Sequence, residues 1–412
     1  MNRDPQELAK ERAGRIEAAM KLQEPDRVPC WGLGGDIVAS YSGISQYEFA
    51  YDEDKCLQAV EKFVNAFPFD EMSLAAASGV DGRPIAMSFI DYPDVFTNLV
   101  FITGPLHDAL GENKYYRFPG REIDDDCTPQ FIGGTFMESD EYDDLAKNPV
   151  EFIRDTVLPR AIPGLANPRE AMAIWARLGM AIGKGFAFMG RMASILGKAG
   201  YALAPMGWAC APLDFIADYL RGFDTVMLDI HRYPDKVKKA VEALSEPVIE
   251  FALASSKHTG AEIVMCPLHL NDYLSPKLYK EFYWPTLKKV LLAVIEEGLR
   301  PMVFFEGNHE AHLETILDLP KGWGVAYFEK TDVVKAKEIL KGHTCIMGGM
   351  PISLLVGGTP EKIDEYVKDL MEKVKPGGGF IFALGVGNVP RETPIENINA
   401  LLEAGIKYGK YD

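Results

Sequence analysis

Two stretches of this chain place an acid where an acid is costly. Glu306 directly follows the apolar run MVFF in PMVFFEGNHE (301–310), and Glu329 directly follows VAYF in WGVAYFEK (323–330). A carboxylate at the end of an apolar run is unfavourable to bury unless it is paired, hydrogen-bonded or bound to a metal. Two of them on consecutive strand ends permit two chemistries. They hold a divalent metal, with a histidine nitrogen completing a zinc site, or they work as a general acid and base. His309 lies three residues after Glu306, and His269 follows the run AEIVMCPL (261–268). Glu306, Glu329 and His269 are therefore the expected catalytic groups, and Glu306, Glu329 and His309 the expected metal ligands. The plainer alternatives are an ion pair for Glu306, a helix-start carboxylate for Glu329 and hydrogen-bonding roles for the histidines. Cys266 is a soft ligand or a small apolar filler. His312 is expected to face outward, and His343 precedes its strand. Trp208, Phe305, Tyr327 and Asn308 are expected to line a broad substrate pocket, ordinary packing being the other reading for each.

Such a site presupposes strands whose C-terminal ends converge. The second half of the chain supplies them. AEIVMCPL, PMVFFEG, WGVAYFE (323–329), TCIMGGM (344–350) and GFIFALG (379–385) are apolar almost throughout and alternate with helical patterns. Continuous rather than alternating apolarity marks parallel strands buried on both faces, and strand–helix alternation predicts repeated βα units. No GxGxxG follows the first strand, which disfavours a dinucleotide-binding sheet. The fold expected is an α/β TIM (β/α)8 barrel, whose functional side chains sit at the C-terminal strand ends. RVPCWGL (27–33) reads as the first strand and DKCLQAVEKFVNAF (54–67) as its helix. Residues 168–199 read as a long Met-containing helix. Residues 1–24 read as an N-terminal helical extension to a barrel over 25–412. A loop-rich insertion at about 85–145 reads as largely extended structure. The glycine clusters at 348–350, 357–361 and 385–388 suit close backbone approach to a ligand, although Thr359-Pro360 is equally a helix start.

The bulk properties exclude several partners. The chain has 412 residues, 47% of them hydrophobic, and a formal net charge of -17. Nucleic acid and anionic membranes both require clustered Lys and Arg, so neither is expected. The six cysteines form no CxxC pair, which fits reduced thiols rather than a disulfide framework. The N-terminus lacks the apolar core of a signal peptide, and no run of about 18 apolar residues occurs. A cytoplasmic location is expected.

The order of motifs resembles the uroporphyrinogen decarboxylase superfamily over nearly the whole chain. The resemblance rests on EPDRVPCWG (24–32), YSGISQYEFAYDEDKCLQA (41–59), APMGWACAPLDFIADYLRGFDTVMLDIHRYPDKV (204–237), LSPKLYKEFYWP (274–285), FFEGNHE (304–310), IMGGMPISLLVGGTPE (346–361), GGFIFALGVGN (378–388) and TPIENINAL (393–401). It implies a TIM barrel. True porphyrinogen decarboxylases carry an Arg-rich RQAGRY-like signature after the first strand, whereas this chain reads PCWGLGGDI, without the counter-charges for a polycarboxylate. The methyltransferase branch holds zinc with His-x-Cys and a later Cys; those positions match Phe304, Glu306 and Val386. The thiol-activating set is gone, but Glu306 and Glu329 keep oxygen donors. A Glu, Glu and His site resembles that of corrinoid-dependent O-demethylases. The resemblance thus implies methyl transfer from a methoxylated aromatic compound to cob(I)alamin, with zinc or another divalent metal assisting departure of phenolate. The chain has no DxHxxG signature, so the cobalamin is expected on a separate corrinoid protein, and a homodimer is a further expectation. The alternatives are a lyase or decarboxylase on an unknown acid, a methylcobalamin-linked thiol methyltransferase, and a corrinoid-binding chaperone.

Overall fold

The computed structural model describes residues 4–32, 34–72, 75, 79–202, 205–385 and 388–411. In chain order its longer strands are β1 (Met206–Trp208), β2 (Ile263–Leu268), β3 (Arg300–Phe305), β4 (Val325–Phe328), β5 (Cys345–Met350) and β6 (Phe380–Leu384). The longer helices are α1 (Pro5–Met20), α2 (Glu53–Ala66), α3 (Pro168–Lys198), α4 (Pro234–Thr259), α5 (Trp284–Glu296), α6 (Val333–Leu340), α7 (Pro360–Val374) and α8 (Ile395–Tyr408). The chain divides into two compact units. The first is Met1–Ala77, Phe188–Ala204 and Met302–Asp412; the second is Ser78–Ala187 and Pro205–Pro301.

The first unit is a run of parallel strands. Met302 to Phe305 of β3 pair with β4, β4 pairs with β5, and β5 pairs with β6. Cys30 then bridges in parallel to Phe382, and Trp31 to Glu71. Every residue of β4 and β6 is buried, as parallel strands covered on both faces require. Gly348 in β5 has φ +131°, and a Cβ there would meet the Phe328 carbonyl oxygen at 2.6 Å, so only glycine fits the strand at that point. The helices cover the strands with apolar stripes. In α7 the buried residues are Ile363, Val367, Leu370, Met371 and Val374, an i, i+4, i+7, i+8 spacing. Each such side chain contributes roughly 1.5–3 kcal/mol when fully buried. Thr359 caps α7 and Pro360 opens it, which accounts for that glycine cluster without a ligand.

The second unit pairs β1 with β2 in parallel, Met206 to Trp208 against Ile263 to Met265, and carries α4 and α5. Among the described residues the first unit has four parallel strands and two single-bridge positions, and the second has two strands, together the number of positions that a (β/α)8 barrel requires.

Two expectations fail locally. Leu33 lies outside the described residues, and residues 27–32 make isolated bridges rather than a strand, since Pro29 has no N–H to give to a ladder. The segment at about 85–145 is not largely extended. It contains the helical turns Arg83–Met87, Pro93–Phe96, Gly104–Leu110 and Tyr142–Lys147, with only two-residue strands between them. A proline at the first or second position opens the first three of these turns, and its fixed φ favours a helical start over a strand.

The N-terminal helix is fastened, not merely appended. Arg15 on α1 and Arg27 both reach the buried Asp70 carboxylate, at 3.0 Å and at 2.6 and 2.7 Å, and the Cys30 N–H donates to it at 2.8 Å. Arg12 donates to the carbonyls of Ala199 and Gly200, each at 2.9 Å. Removing one partner of a buried ion pair leaves the other charge uncompensated, at a cost of about 3–5 kcal/mol. Asp70→Ala should therefore lower the urea midpoint of the unfolding step that includes α1, read by circular dichroism, and Asp70→Asn should lower it less. An Asp70→Ala midpoint equal to that of the wild type would show that this cluster does not hold α1.

Candidate functional site

A connected assembly of titratable groups lies in the second unit, just after β1 and β2. The segment 212–221 is helical and closes with a π-helical turn over Ile216–Arg221. Asp214 and Asp218 stand four residues apart on it, hence on one face. Asp214 is fully buried. Its carboxylate accepts hydrogen bonds from the backbone N–H of His269 and of Leu270, both at 3.0 Å, and from the Tyr283 hydroxyl at 2.5 Å. The loop that follows β2 is thereby pinned to the helix that follows β1. Asp218 contacts the His269 ring at Nδ1, at 2.6 Å, and the His269 side chain keeps 30% of its exposure. A carboxylate on Nδ1 fixes the tautomer and orientation of an imidazole and raises its basicity.

A second buried group stands in the same unit. Arg83 contacts the Asp81 carboxylate through Nε at 3.0 and 2.9 Å and through Nη2 at 2.5 Å, and its Nη1 donates to the Ala209 carbonyl at 2.9 Å. The Tyr219 hydroxyl also donates to Asp81. Asp81 and Asp214 therefore differ in electrostatic character. Burial raises both, but for Asp81 the guanidinium outweighs burial and holds the carboxyl below the ordinary range. Burial, aided by the neighbouring Asp218 charge, pushes Asp214 up to about 6. Burial also pushes the Cys210 thiol up to about 12 and holds the Cys266 thiol well above its ordinary value, so both are neutral fillers rather than thiolates. Of the six cysteines only Cys127 is not buried.

Of the residues singled out by sequence, His269 is the one placed in this assembly. Glu306 and Glu329 belong to the first unit, where the register pairs Phe305 with Phe328 and sets the two acids side by side along the chain. Both are half-buried. Glu329 accepts the Gly307 N–H at 2.6 Å and lies 3.8 Å from Lys330 Nζ. His309 does not join them. Its ring is fully buried against Phe305, centroids 4.3 Å apart, and beside His312. Burial, and then His312, keep its pKa well below the ordinary value. Phe304 packs on Tyr327 at 4.5 Å and Phe305 on Phe328 at 5.3 Å. Successive strand residues face opposite ways, so His309 sits with Phe305 on the side away from Tyr327.

Among the described residues, no three His, Cys, Asp or Glu side chains are grouped so as to hold a metal ion. The expected Glu306, Glu329 and His309 donor set does not fit a zinc site. His312 is buried rather than outward-facing. Phe305 and Tyr327 are buried, with the Tyr327 hydroxyl donating to Leu384 O. Asn308 is exposed and caps Glu310 N at 2.9 Å, and Trp208 packs edge-on against Phe101 at 4.8 Å. Val386 and Gly387 of the 385–388 cluster lie outside the described residues. Sequence reasoning missed Asp81, Arg83, Asp214, Asp218, Tyr219 and Tyr283. The available signal was the pair of acids at i, i+4 in PLDFIADY directly after a strand.

The Asp214 assignment carries a pH signature. Its folded value near 6 lies above the ordinary 3.8. Its contribution to stability is therefore fully present below about 3.8 and lost as pH rises through about 6. Between about pH 5 and pH 7.5 this amounts to roughly 1–2 kcal/mol. Urea unfolding at the two pH values should show that loss in the wild type and its absence in Asp214→Asn. Identical pH slopes in the two proteins would show that Asp214 is not raised.

Comparison with known proteins places this geometry in a lineage. A family model described as uroporphyrinogen decarboxylase (URO-D) matches residues 158–408. The uroporphyrinogen decarboxylase of Coxiella burnetii (strain Dugway 5J108-111) is 28% identical over 186 residues, 44% of this chain and 50% of that one. That of Pseudoalteromonas translucida (strain TAC 125) is 31% identical over 185 residues, 43% and 51% of the two chains. The chain spans about half the length of the curated relatives it matches. A solved methyltransferase from Methanosarcina mazei matches with a TM-score of 0.60 at 18% identity, over 96% of this chain and 98% of that chain, a likeness of fold. No helix among the described residues is long and apolar enough to cross a membrane. The fold is a TIM barrel, as the strand pattern implied, and the chain belongs to the uroporphyrinogen decarboxylase family.

Proposed function

We propose that this chain is a methyltransferase that moves a methyl group from a methoxylated aromatic compound to the cob(I)alamin of a separate corrinoid protein. The observation that carries the reading is His269, partly exposed at a strand end and held at Nδ1 by Asp218. Demethylation of an aryl ether breaks the oxygen–methyl bond with its electron pair going to oxygen. Phenolate is a poor leaving group, and a proton given to that oxygen removes the difficulty. His269 is the donor in this reading, Asp218 stabilises the imidazolium form, and Asp214 fixes the loop from which His269 projects. The methyl carbon bonds to an electron pair brought by the partner.

Decarboxylation of an unidentified acid is the second reading, favoured by the relatives being uroporphyrinogen decarboxylases. Against it, Arg83 is already engaged by Asp81 and Ala209 O, and the 29–37 stretch has no arginine. A substrate carboxylate would meet few counter-charges there.

The test is a methyl-transfer assay with reduced corrinoid protein and a panel of methoxybenzoates, read by the cobalt absorbance. His269→Gln should lower the rate by about 10²–10⁴ and Asp218→Asn by about 10–100, both remaining folded. Full activity in His269→Gln together with its loss in Glu306→Gln would move the chemistry to the first unit's carboxylates. Release of carbon dioxide from an acid, without methyl transfer, would establish the second reading.

A further inference from the structure

Asp214 and Asp218 are held in different ways. Three donors converge on the Asp214 carboxylate, whereas among the described residues the Asp218 carboxylate makes one hydrogen bond, to His269. The aim of Asp218 must therefore come from the backbone that carries it. That backbone is the π-helical turn Ile216–Arg221, which ends at Gly222. The last carbonyls of a helix have no partner inside it, and here one segment of the chain addresses three consecutive carbonyls of the turn. Gly133, at φ +64°, lies so close to the Asp218 carbonyl that a Cβ there would stand 2.9 Å from its oxygen. The Tyr115 hydroxyl donates to the Tyr219 carbonyl at 2.7 Å. The Phe136 N–H donates to the Leu220 carbonyl, also at 2.7 Å.

These contacts belong to Tyr115 and a strap over residues 131–136 that is tied to it. The Ile132 N–H donates to the Tyr115 carbonyl at 2.8 Å, and Tyr116 and Arg117 pair with Phe131 and Gln130. The Tyr115 ring packs on Phe131 and Phe136, with centroids 5.5 and 4.9 Å apart, and Phe131 packs on Tyr219 at 5.4 Å. Tyr115 is fully buried. Phenylalanine would meet the same packing; the hydroxyl is used on a carbonyl one residue after Asp218. We propose, resting on the reading of His269 as proton donor, that Tyr115 and this strap are positioning elements of the reaction. They fix the rotation of the π-helical turn, which aims Asp218 at His269 Nδ1 and leaves Nε2 to deliver the proton. The orientation of an imidazole depends in this way on whatever holds its carboxylate partner.

Nitrogen NMR of protein carrying isotope-labelled histidine tests this, at a pH where the ring is neutral. His269, assigned by the signal lost in His269→Gln, should show a single tautomer with Nδ1 protonated. Asp218→Ala should give a mixture of the two tautomers. Tyr115→Phe should do the same, with an unchanged far-ultraviolet circular dichroism spectrum. In the methyl-transfer assay Tyr115→Phe should lower kcat by about tenfold with KM within about twofold. Added to Asp218→Ala, it should change the rate by less than about twofold. A Tyr115→Phe protein that keeps the wild-type tautomer overturns the proposal, whatever its stability. So does an undiminished loss, again about tenfold, in the Asp218→Ala background, which is the mark of a purely structural hydroxyl. A tautomer mixture in Tyr115→Phe, beside a wild type that transfers no methyl group, supports the positioning role and removes the methyl-transfer reading.

Discussion

A carboxylate enclosed in protein must be surrounded by donors, and meeting that requirement at Asp214 organises the candidate site. Three donors converge on it, two from the backbone after β2 and one from Tyr283. Because the acceptor belongs to the segment after β1, satisfying it locks two βα loops together. The lock decides where His269 can be. Without it the loop would be free to move, and the 2.6 Å contact to Asp218 would cost conformational entropy at every visit. Positioning is thereby built into folding rather than left to substrate binding.

Asp81 and Asp214 form a natural comparison. Asp214 is fully buried and Asp81 half-buried, and both accept a tyrosine hydroxyl, so hydroxyl donation does not distinguish them. The distinguishing partner is charge: a guanidinium faces one and a second carboxylate stands near the other. One fold thus keeps one acid ionised and lets another hold a proton near neutrality, the usual arrangement where proton transfer is needed. The π-helical turn at Ile216–Arg221 belongs to the same construction, since an added residue in a turn re-aims the side chains that follow it.

The barrel was legible because its strands are apolar on both faces. VAYF and FIFAL have no polar side to confuse with a solvent-facing sheet, and a helix beginning Thr359-Pro360 announces itself by its cap. Legibility failed where a residue's role depends on contacts distant in sequence. Glu306 and Glu329 drew attention because a strand end frames them, yet the chain gives no local sign that the His309 ring would turn into the core beside Phe305. Asp214 and Asp218 carry no local mark that separates them from ordinary helix acids. Their significance comes from His269, more than fifty positions away. The prolines at 84, 93 and 105 were visible, but the apolar residues around them read as extended structure.

The burial of five of the six cysteines has a practical corollary. Thiols with raised pKa and no access to solvent react slowly with electrophiles and oxidants. Cys127 alone remains accessible, between the paired strands Tyr116–Arg117 and Gln130–Phe131. The natural sequence therefore already has the chemistry of a single-cysteine variant. A fluorophore or spin label attached there would report on that hairpin while leaving Cys210 and Cys266, beside the titratable cluster, untouched.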